Sequence, residues 1–202
     1  MKSILTMLLA AVLFVPAVVQ ANDKTNDAAV KWNVDRNHSN VTFSIRHFFT
    51  PVVGKFTNYT MDMNFDPNNL AGSNVTVEID INSVNTNNDS RDGHLKTADF
   101  FDTEKYPKAV FKSTSIQKAG DNAFVMTGDL TIRDVTRKVE IPFTLLGVQD
   151  HPQRANTEVA GFEGSFKMNR LDFGVGSGDY ISTAVIGNEL TVNLFLSVNR
   201  QK

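Results

Sequence analysis

Cysteine is absent from the whole chain. A disulfide framework is therefore excluded, and so are zinc–thiolate sites and thiol nucleophiles. The stability of the folded protein must rest on apolar packing and on backbone hydrogen bonds.

The net charge is also small, because 20 Lys and Arg nearly balance 22 Asp and Glu, which leaves a formal net charge of -2. No basic run is long enough to neutralise several phosphates in a row. Nucleic-acid binding depends on such neutralisation, so we expect no nucleic-acid partner.

Motifs for metal binding and for hydrolysis are missing as well. The four histidines, His38, His47, His94 and His151, are far apart, and none forms an i, i+4 pair or a His-Glu-x-x-His motif. A Gly-x-Ser-x-Gly motif is absent, so a lipid hydrolase has no visible nucleophile. We therefore assign no catalytic residue and no metal ligand, and we expect no cofactor other than a bound ligand.

The amino-terminal residues have the pattern of an export signal. Lys2 supplies the positive end, residues 5–19 form an apolar run interrupted by Thr6 and Pro16, and Ala21 provides a small residue at the cleavage point. The apolar run is shorter than the roughly 20 residues that a membrane-spanning helix needs. We predict a cleaved signal peptide at 1–21, a flexible polar leader at 22–29 and one folded domain at 30–200.

Long helical periodicity is absent from that domain, and alternation of apolar and polar residues dominates instead. Val75, Val77, Ile79 and Ile81 alternate with polar residues, which is typical of a strand with one buried face. Between Phe56 and Tyr59 the spacing slips by one, which predicts a β-bulge there. The predicted strands are 31–34, 41–46, 54–65, 75–81, 108–117, 122–133, 138–147, 159–168 and 190–199.

One segment, 88–104, has helical spacing instead and is predicted to form one or two short helical turns. Asn88 and Asp89 are candidate N-caps, and Asp99 is predicted to cap a second turn above Phe100 and Phe101. A carboxylate pair of Asp99 and Asp102 for acid–base chemistry is the weaker interpretation.

Strands that follow one another without intervening helices favour an all-β, antiparallel fold, either a sandwich or a barrel. Closure removes unpaired edges and favours the barrel. An eight-stranded barrel has an interior that either is filled by side chains or holds one small ligand. The residues by themselves leave both alternatives open.

A series of short sequence blocks follows one order along the chain. They are Trp32-Asn33-Val34-Asp35, His38-Ser39, residues 41–47, Val53-Gly54-Lys55-Phe56, Arg91-Asp92, His94-Leu95, residues 98–102, Tyr106-Pro107, Phe111-Lys112-Ser113, Gly128-Asp129-Leu130-Thr131, Val135-Thr136 and Asp172-Phe173-Gly174. In this order the series resembles the YceI-like polyisoprenoid-binding family. The resemblance implies a closed, eight-stranded, lipocalin-like barrel in the bacterial periplasm that encloses the apolar tail of an isoprenoid quinone or a polyprenyl phosphate.

The inward rows of the predicted strands are the candidate ligand-binding lining. Small residues among them, Gly128, Ala160 and Gly164, are expected to leave room for a guest, and we predict an apolar tunnel through the molecule. The lining residues are Phe43, Ile45, Val77, Ile79, Phe111, Met126, Leu130, Ile132, Ile141, Phe143, Phe162, Phe166, Leu194 and Leu196.

Two basic pairs, Arg46 with His47 and Arg91 with His94, are candidate contacts for a polar head group at the barrel mouth. The resemblance favours a non-enzymatic carrier of a polyisoprenoid lipid. Two alternatives remain: an enzyme acting on a lipid head group through His94, Asp99 and Arg46, and a sealed barrel that binds another protein. Transient contact with a membrane or a membrane protein, and a homodimer, also remain open.

Overall fold

The computed structural model describes residues 29–202. The predicted signal peptide at 1–21 and residues 22–28 of the predicted leader lie outside the described residues. Ala29, the last residue of that leader, is buried, and its N–H donates to the carbonyl of Gly72 at 3.4 Å.

Strands account for most of the described residues, together with one helix, α1 (Asp89–Lys96), and 3₁₀ turns at Ile81–Ser83, Arg170–Phe173 and Gly178–Ile181. No helix in the described part of the chain is long and apolar enough to cross a membrane. The strands are β1 (Lys31–Val34), β2 (Asn40–His47), β3 (Thr50–Phe56), β4 (Tyr59–Asn64), β5 (Asn74–Asp80), β6 (Val84–Asn85), β7 (Lys108–Lys118), β8 (Ala123–Ile132), β9 (Val135–Asp150), β10 (Thr157–Asn169) and β11 (Ile186–Gln201).

The strands close into an antiparallel barrel in sequence order. β1 and β2 lie end to end and both pair with β11, and β3 and β4 lie end to end beside them. Counting each couple as one long strand, the ring continues through β4–β5, β5–β7, β7–β8, β8–β9, β9–β10 and β10–β11. The eight-stranded barrel predicted from the sequence is confirmed.

The predicted bulge between Phe56 and Tyr59 is wrong, because the chain changes partners there. β3 pairs with β2 and β6, whereas β4 pairs with β1 and β5. The N–H groups of Thr57 and Asn58 donate to the carbonyl and hydroxyl oxygens of Ser83 at 3.1 and 2.9 Å, so a 3₁₀ turn takes the place of a ladder partner. β3 and β5 diverge as a result, and the wall between them is completed by β6 and α1.

Helix α1 begins where the sequence predicts. The side chain of Asn88 accepts from the N–H of Arg91 at 2.9 Å, as an N-cap does. Buried Asp92 accepts from the N–H of Thr86 at 2.9 and 3.1 Å and from its hydroxyl at 2.5 Å, which fastens the helix to β6. The predicted second helical turn is wrong: residues 97–105 form successive turns, and the Asp99 carboxylate faces His94 instead of capping a helix.

The packed core lies at the end of the barrel where β1 and β4 meet, which we call the closed half. Phe65 stands at its centre, with edge-on ring contacts to Phe124, Phe143 and Phe162 at centroid distances of 5.2, 5.6 and 5.4 Å. The indole N–H of Trp32 donates to the carbonyl of Phe65 at 2.9 Å and closes this end. We call the opposite end, which contains β2, β3 and α1, the open half.

Candidate functional site

A cavity of about 700 Å³ occupies the open half of the barrel. This volume lies within the range of small-molecule binding sites, about 300–1,000 Å³. Its wall is mainly aliphatic and aromatic, and α1 and the segment 170–186 border its open end. The apolar wall residues are Val41, Phe43, Ile45, Val52, Phe56, Ile79, Ile81, Leu95, Phe100, Phe101, Ala109, Leu130, Ile132, Phe166, Met168, Phe173, Val175, Val185, Ile186, Leu190 and Val192.

A second void of about 110 Å³ lies deeper and shares wall residues with the first, including Ile79, Leu130 and Phe166. Below it the interior is filled by the ring cluster around Phe65, which is 2% exposed. The predicted tunnel through the molecule is therefore wrong. The interior is a pocket that is open at one end and blocked at the other by the protein's own aromatic rings.

All of the predicted lining residues lie on the walls of these two spaces, although ligand contact stays a prediction. Phe43, Ile45 and Ile132 face the large cavity, and Ile79, Leu130 and Phe166 face both spaces. Those that face the deeper void are Val77, Phe111, Met126, Ile141, Phe143, Phe162, Leu194 and Leu196.

The small inward residues differ in the room that they leave. A Cβ added to Gly128 would collide with the Phe111 ring and lie 2.5 Å from the Lys112 carbonyl oxygen, so the ring already occupies that space. The Phe43 ring occupies the space beside Gly54 in the same way. Gly164, by contrast, lines the deeper void.

Basic side chains from separate elements meet at the mouth. Arg46 and His47 come from the end of β2, and Arg91 and His94 come from α1; all four line the large cavity. Arg91 is oriented by two hydrogen bonds to Thr86, from Nε to the hydroxyl at 2.7 Å and from a terminal nitrogen to the carbonyl at 2.8 Å. Among the described residues no Asp or Glu lines this cavity.

Arg170 is a buried guanidinium in the same wall that sequence reasoning missed. It is 4% exposed and donates to the carbonyls of Gly187, Val175, Tyr180 and Ile186 at 2.9, 2.8, 2.6 and 3.2 Å. Burial lowers the pKa of Arg170 from its usual value, but a guanidinium stays charged at neutral pH. Its only sequence signal is an arginine between Met168 and Leu171, a weak one, because its partners are backbone carbonyls, two of them in β11.

Helix α1 and the segment 170–186, which together form a cover over the mouth, are joined by aromatic and polar contacts. His94 Nε2 lies 3.2 Å from Asp99, and the His94 ring contacts the rings of Phe100 and Tyr180, each at 5.0 Å between centroids. The N–H of Ser177 donates to the carbonyl of Asp99 at 2.8 Å. These contacts join α1 to the segment 170–186. Tyr180, like Phe56, belongs to the site but was missed by sequence reasoning.

The cavity has an apolar wall, and Arg46 and Arg91 place positive charge at its mouth. Within residues 29–202 no three His, Asp or Glu side chains are grouped so as to hold a metal ion. His94 and Asp99 form a histidine–carboxylate contact of 3.2 Å at the mouth. The geometry thus suits binding of an amphipathic molecule with its polar end outward.

Comparisons with known proteins agree with the fold. A family model described as "YceI-like domain" matches residues 32–198. Protein YceI of Escherichia coli is 37% identical over 175 residues, covering 86% of this chain and 87% of that protein. The crystal structure of Burkholderia cenocepacia BcnA aligns with a TM-score of 0.73 at 28% identity, over 82% of this chain and 99% of that one.

A more distant structure shares the fold. It is a Saccharophagus degradans domain described as polyisoprenoid binding and as implicated in plant cell wall breakdown. It aligns with a TM-score of 0.59 at 16% identity, over 85% of this chain and 98% of that domain.

Proposed function

The chain belongs to the YceI-like family and is a barrel binding protein, and from this premise we propose that it is a periplasmic carrier of a polyisoprenoid lipid. The observation that carries the proposal is the cavity of about 700 Å³, with an apolar wall and a basic mouth. The distant neighbour described as polyisoprenoid binding supports the ligand class, and the export signal predicted at 1–21 supports the compartment.

The size of the cavity sets how much of a tail it holds. At roughly 30 Å³ for each water-sized group, a volume of about 700 Å³ accommodates on the order of two dozen carbon-sized groups, or about five isoprene units. Each methylene removed from water contributes about 0.8 kcal/mol, so a tail of this length is strongly favoured inside. A longer tail has to fold back or leave through the mouth, because the ring cluster around Phe65 blocks the other end.

The charges at the mouth favour a head group with negative charge or carbonyl oxygens. Arg46 and Arg91 border the opening, Arg170 adds a buried positive charge, and no carboxylate of the described residues lines the wall. A polyprenyl phosphate provides anionic oxygens, which arginine binds through charge-assisted hydrogen bonds. An isoprenoid quinone provides carbonyl acceptors, so both ligands fit.

Mass spectrometry of organic extracts from the purified protein tests the proposal. We expect an intact polyisoprenoid lipid in the wild type. Val192→Trp fills the cavity from β11 and should remove most of that lipid. Phe195→Trp is the matched control, because Phe195 lies on the outer face of the same strand and is 50% exposed. Equal lipid content in the two variants would show that the lipid is bound elsewhere.

The His94–Asp99 contact of 3.2 Å at the mouth keeps the enzyme alternative testable. Incubation with a polyprenyl phosphate, followed by product analysis, distinguishes the two functions. A carrier returns the lipid unchanged. Turnover that disappears in His94→Ala or Asp99→Ala would instead support an enzyme that acts on the head group.

A further inference from the structure

The two-residue turn between β2 and β3 projects apolar rings into solvent. Phe49 is 90% exposed and Phe48 is 55% exposed. Two more large apolar side chains from the neighbouring segment, Ile181 at 58% and Val185 at 40%, are also exposed. We call these four residues the mouth tip.

The mouth tip is continuous with the rim of the cavity. The N–H of Phe48 donates to the carbonyl of Val185 at 2.7 Å, and His47 pairs with Ile186 in the β2–β11 ladder. His47, Val185 and Ile186 also line the cavity. The exposed apolar surface therefore begins where the apolar interior ends.

The turn is held in a conformation that its side chains do not favour. Phe48 has φ 51°, at a turn position where glycine is the usual residue. A T-shaped contact with the His47 ring at 4.8 Å and a hydrogen bond from Arg46 to the carbonyl of Phe49 at 2.7 Å hold it there. A bulky residue in such a conformation, exposed and fixed, is typical of a functional surface.

Few charged residues lie within the two segments that form the tip. The segments 46–53 and 180–188 contain no Asp or Glu, and Arg46 is their only Lys or Arg. Asp179 and Glu189 flank the segment 180–188 on its two sides: Asp179 is exposed, and Glu189 accepts a hydrogen bond from Lys167 at 2.7 Å. The apolar tip thus carries a positive charge at its base.

We propose that the mouth tip docks the protein onto a lipid bilayer, with Phe49 and Phe48 entering the boundary between head groups and acyl chains. A small convex apolar turn needs no complementary pocket in a bilayer, and aromatic rings favour that boundary. Arg46 lies at the depth of the phosphates and contributes electrostatic attraction to anionic lipids.

Docking in this orientation turns the cavity mouth toward the membrane. A lipid tail then passes between bilayer and cavity without crossing water. Only this last step rests on the proposed carrier function, since docking is measurable on vesicles that contain no isoprenoid lipid.

Vesicle flotation with protein purified after export tests the docking, on vesicles of phosphatidylethanolamine and phosphatidylglycerol. An intact-mass measurement confirms that the protein lacks its amino-terminal signal. We expect Phe49→Ser to weaken vesicle binding about tenfold, because it removes one buried aromatic side chain. The control is Phe195→Ser, which changes an exposed phenylalanine on the outer wall and should bind as the wild type does.

A second readout locates the tip. We expect the fluorescence of Phe49→Trp to be quenched by lipids with brominated acyl chains, and that of Phe195→Trp to be unaffected. Absence of vesicle binding, or equal binding by Phe49→Ser and the wild type, would overturn the proposal. A dimer that Phe49→Ser disperses would also overturn it, because the tip would then bind a second copy. In each of these cases lipid recovered in organic extracts would still support the carrier.

Discussion

In the closed half of the barrel Phe65 and Phe124 are 2% and 1% exposed, whereas in the open half Phe43 and Phe166 are only half-buried and border a cavity of about 700 Å³. The same strands supply both halves. β10 contributes Phe162 to the ring cluster and Phe166 to the cavity wall. The difference therefore does not come from the apolar content of the strands.

The difference comes from how the wall closes. In the closed half β1 joins β4 to β11, so the ring of strands is complete and phenylalanine rings from opposite sides meet. In the open half β3 pairs with β6 and not with β5, and β6 and α1 complete the wall between them. The side chains of this half leave a space that they do not fill.

Truncation of one ring in each half should give the largest contrast. Phe124→Ala removes a ring that contacts Phe65 at 5.2 Å and stacks on Phe143 at 5.3 Å, so it should lower the free energy of unfolding by about 3–5 kcal/mol. Phe166→Ala enlarges a space that already exists and should cost about 1–2 kcal/mol. Equilibrium unfolding in urea measures both.

The amount of bound lipid should also distinguish the two truncated variants. Phe124→Ala should keep its lipid while folded, because the change lies outside the large cavity. Equal losses of stability in the two variants would contradict the distinction between a packed half and a hollow half.

Removal of the buried arginine should give the next largest effect, confined to the open half. Arg170→Met leaves the carbonyls of Val175, Tyr180, Gly187 and Ile186 without this donor, which should cost about 2–3 kcal/mol. We expect faster amide hydrogen exchange in residues 174–186 and unchanged protection in β1 and β4. Arg170→Lys keeps the charge but loses the planar donor set, so its exchange should be intermediate.

A uniform rise in exchange across the whole barrel would contradict this prediction. It would mean that Arg170 stabilises the global fold and not the cover over the cavity.

A matched pair of methionines gives the third contrast. Met126→Trp adds volume where the side chain is 7% exposed and faces the small deep void, so overpacking should cost about 1–3 kcal/mol. Met168→Trp extends into the large cavity and should cost less than about 1 kcal/mol. Thermal unfolding measures the stabilities, and lipid extraction should show that only Met168→Trp displaces the ligand.

The outcome would be reversed if the deep void held the tail and the large cavity stayed unused. Met126→Trp would then remove the lipid at little cost in stability. The pair therefore locates the ligand as well as testing the packing.

Alternation along the strands predicted the barrel and the inward rows, because a period of two follows directly from strand geometry. It did not predict how deep each inward residue lies. Phe143 and Phe162 were expected to line a tunnel, yet they belong to the ring cluster that blocks it. Depth depends on the positions of the two ends, and those follow from long-range strand pairing.

Basic residues near strand and helix ends predicted the mouth, since Arg46 and His47 end β2 and Arg91 and His94 lie on α1. Arg170 was missed because its partners are backbone carbonyls, which carry no sequence signal. The break after Phe56 was interpreted as a bulge, because a β-bulge and a change of strand partner produce the same slip in the spacing of apolar residues. Only the Ser83 hydrogen bonds to Thr57 and Asn58 distinguish them.

The smallest effect is predicted for a substitution of Asp35, in the turn between β1 and β2. At this turn the wall passes from the closed half to the open half. The hydrogen bond with His38 Nδ1 at 2.8 Å is the main cause that lowers the pKa of Asp35, and the N–H of Asn37 assists at 3.0 Å. A lowered folded-state pKa stabilises the fold above the unfolded value of about 3.9, and this contribution is lost as the pH falls through the folded value. Since the pair is at the surface, Asp35→Asn should cost less than about 1 kcal/mol near pH 7, and the difference should be smaller at pH 3. Urea unfolding at the two pH values measures it, and a difference that grew in acid would mean that the Asp35 carboxylate destabilises this turn.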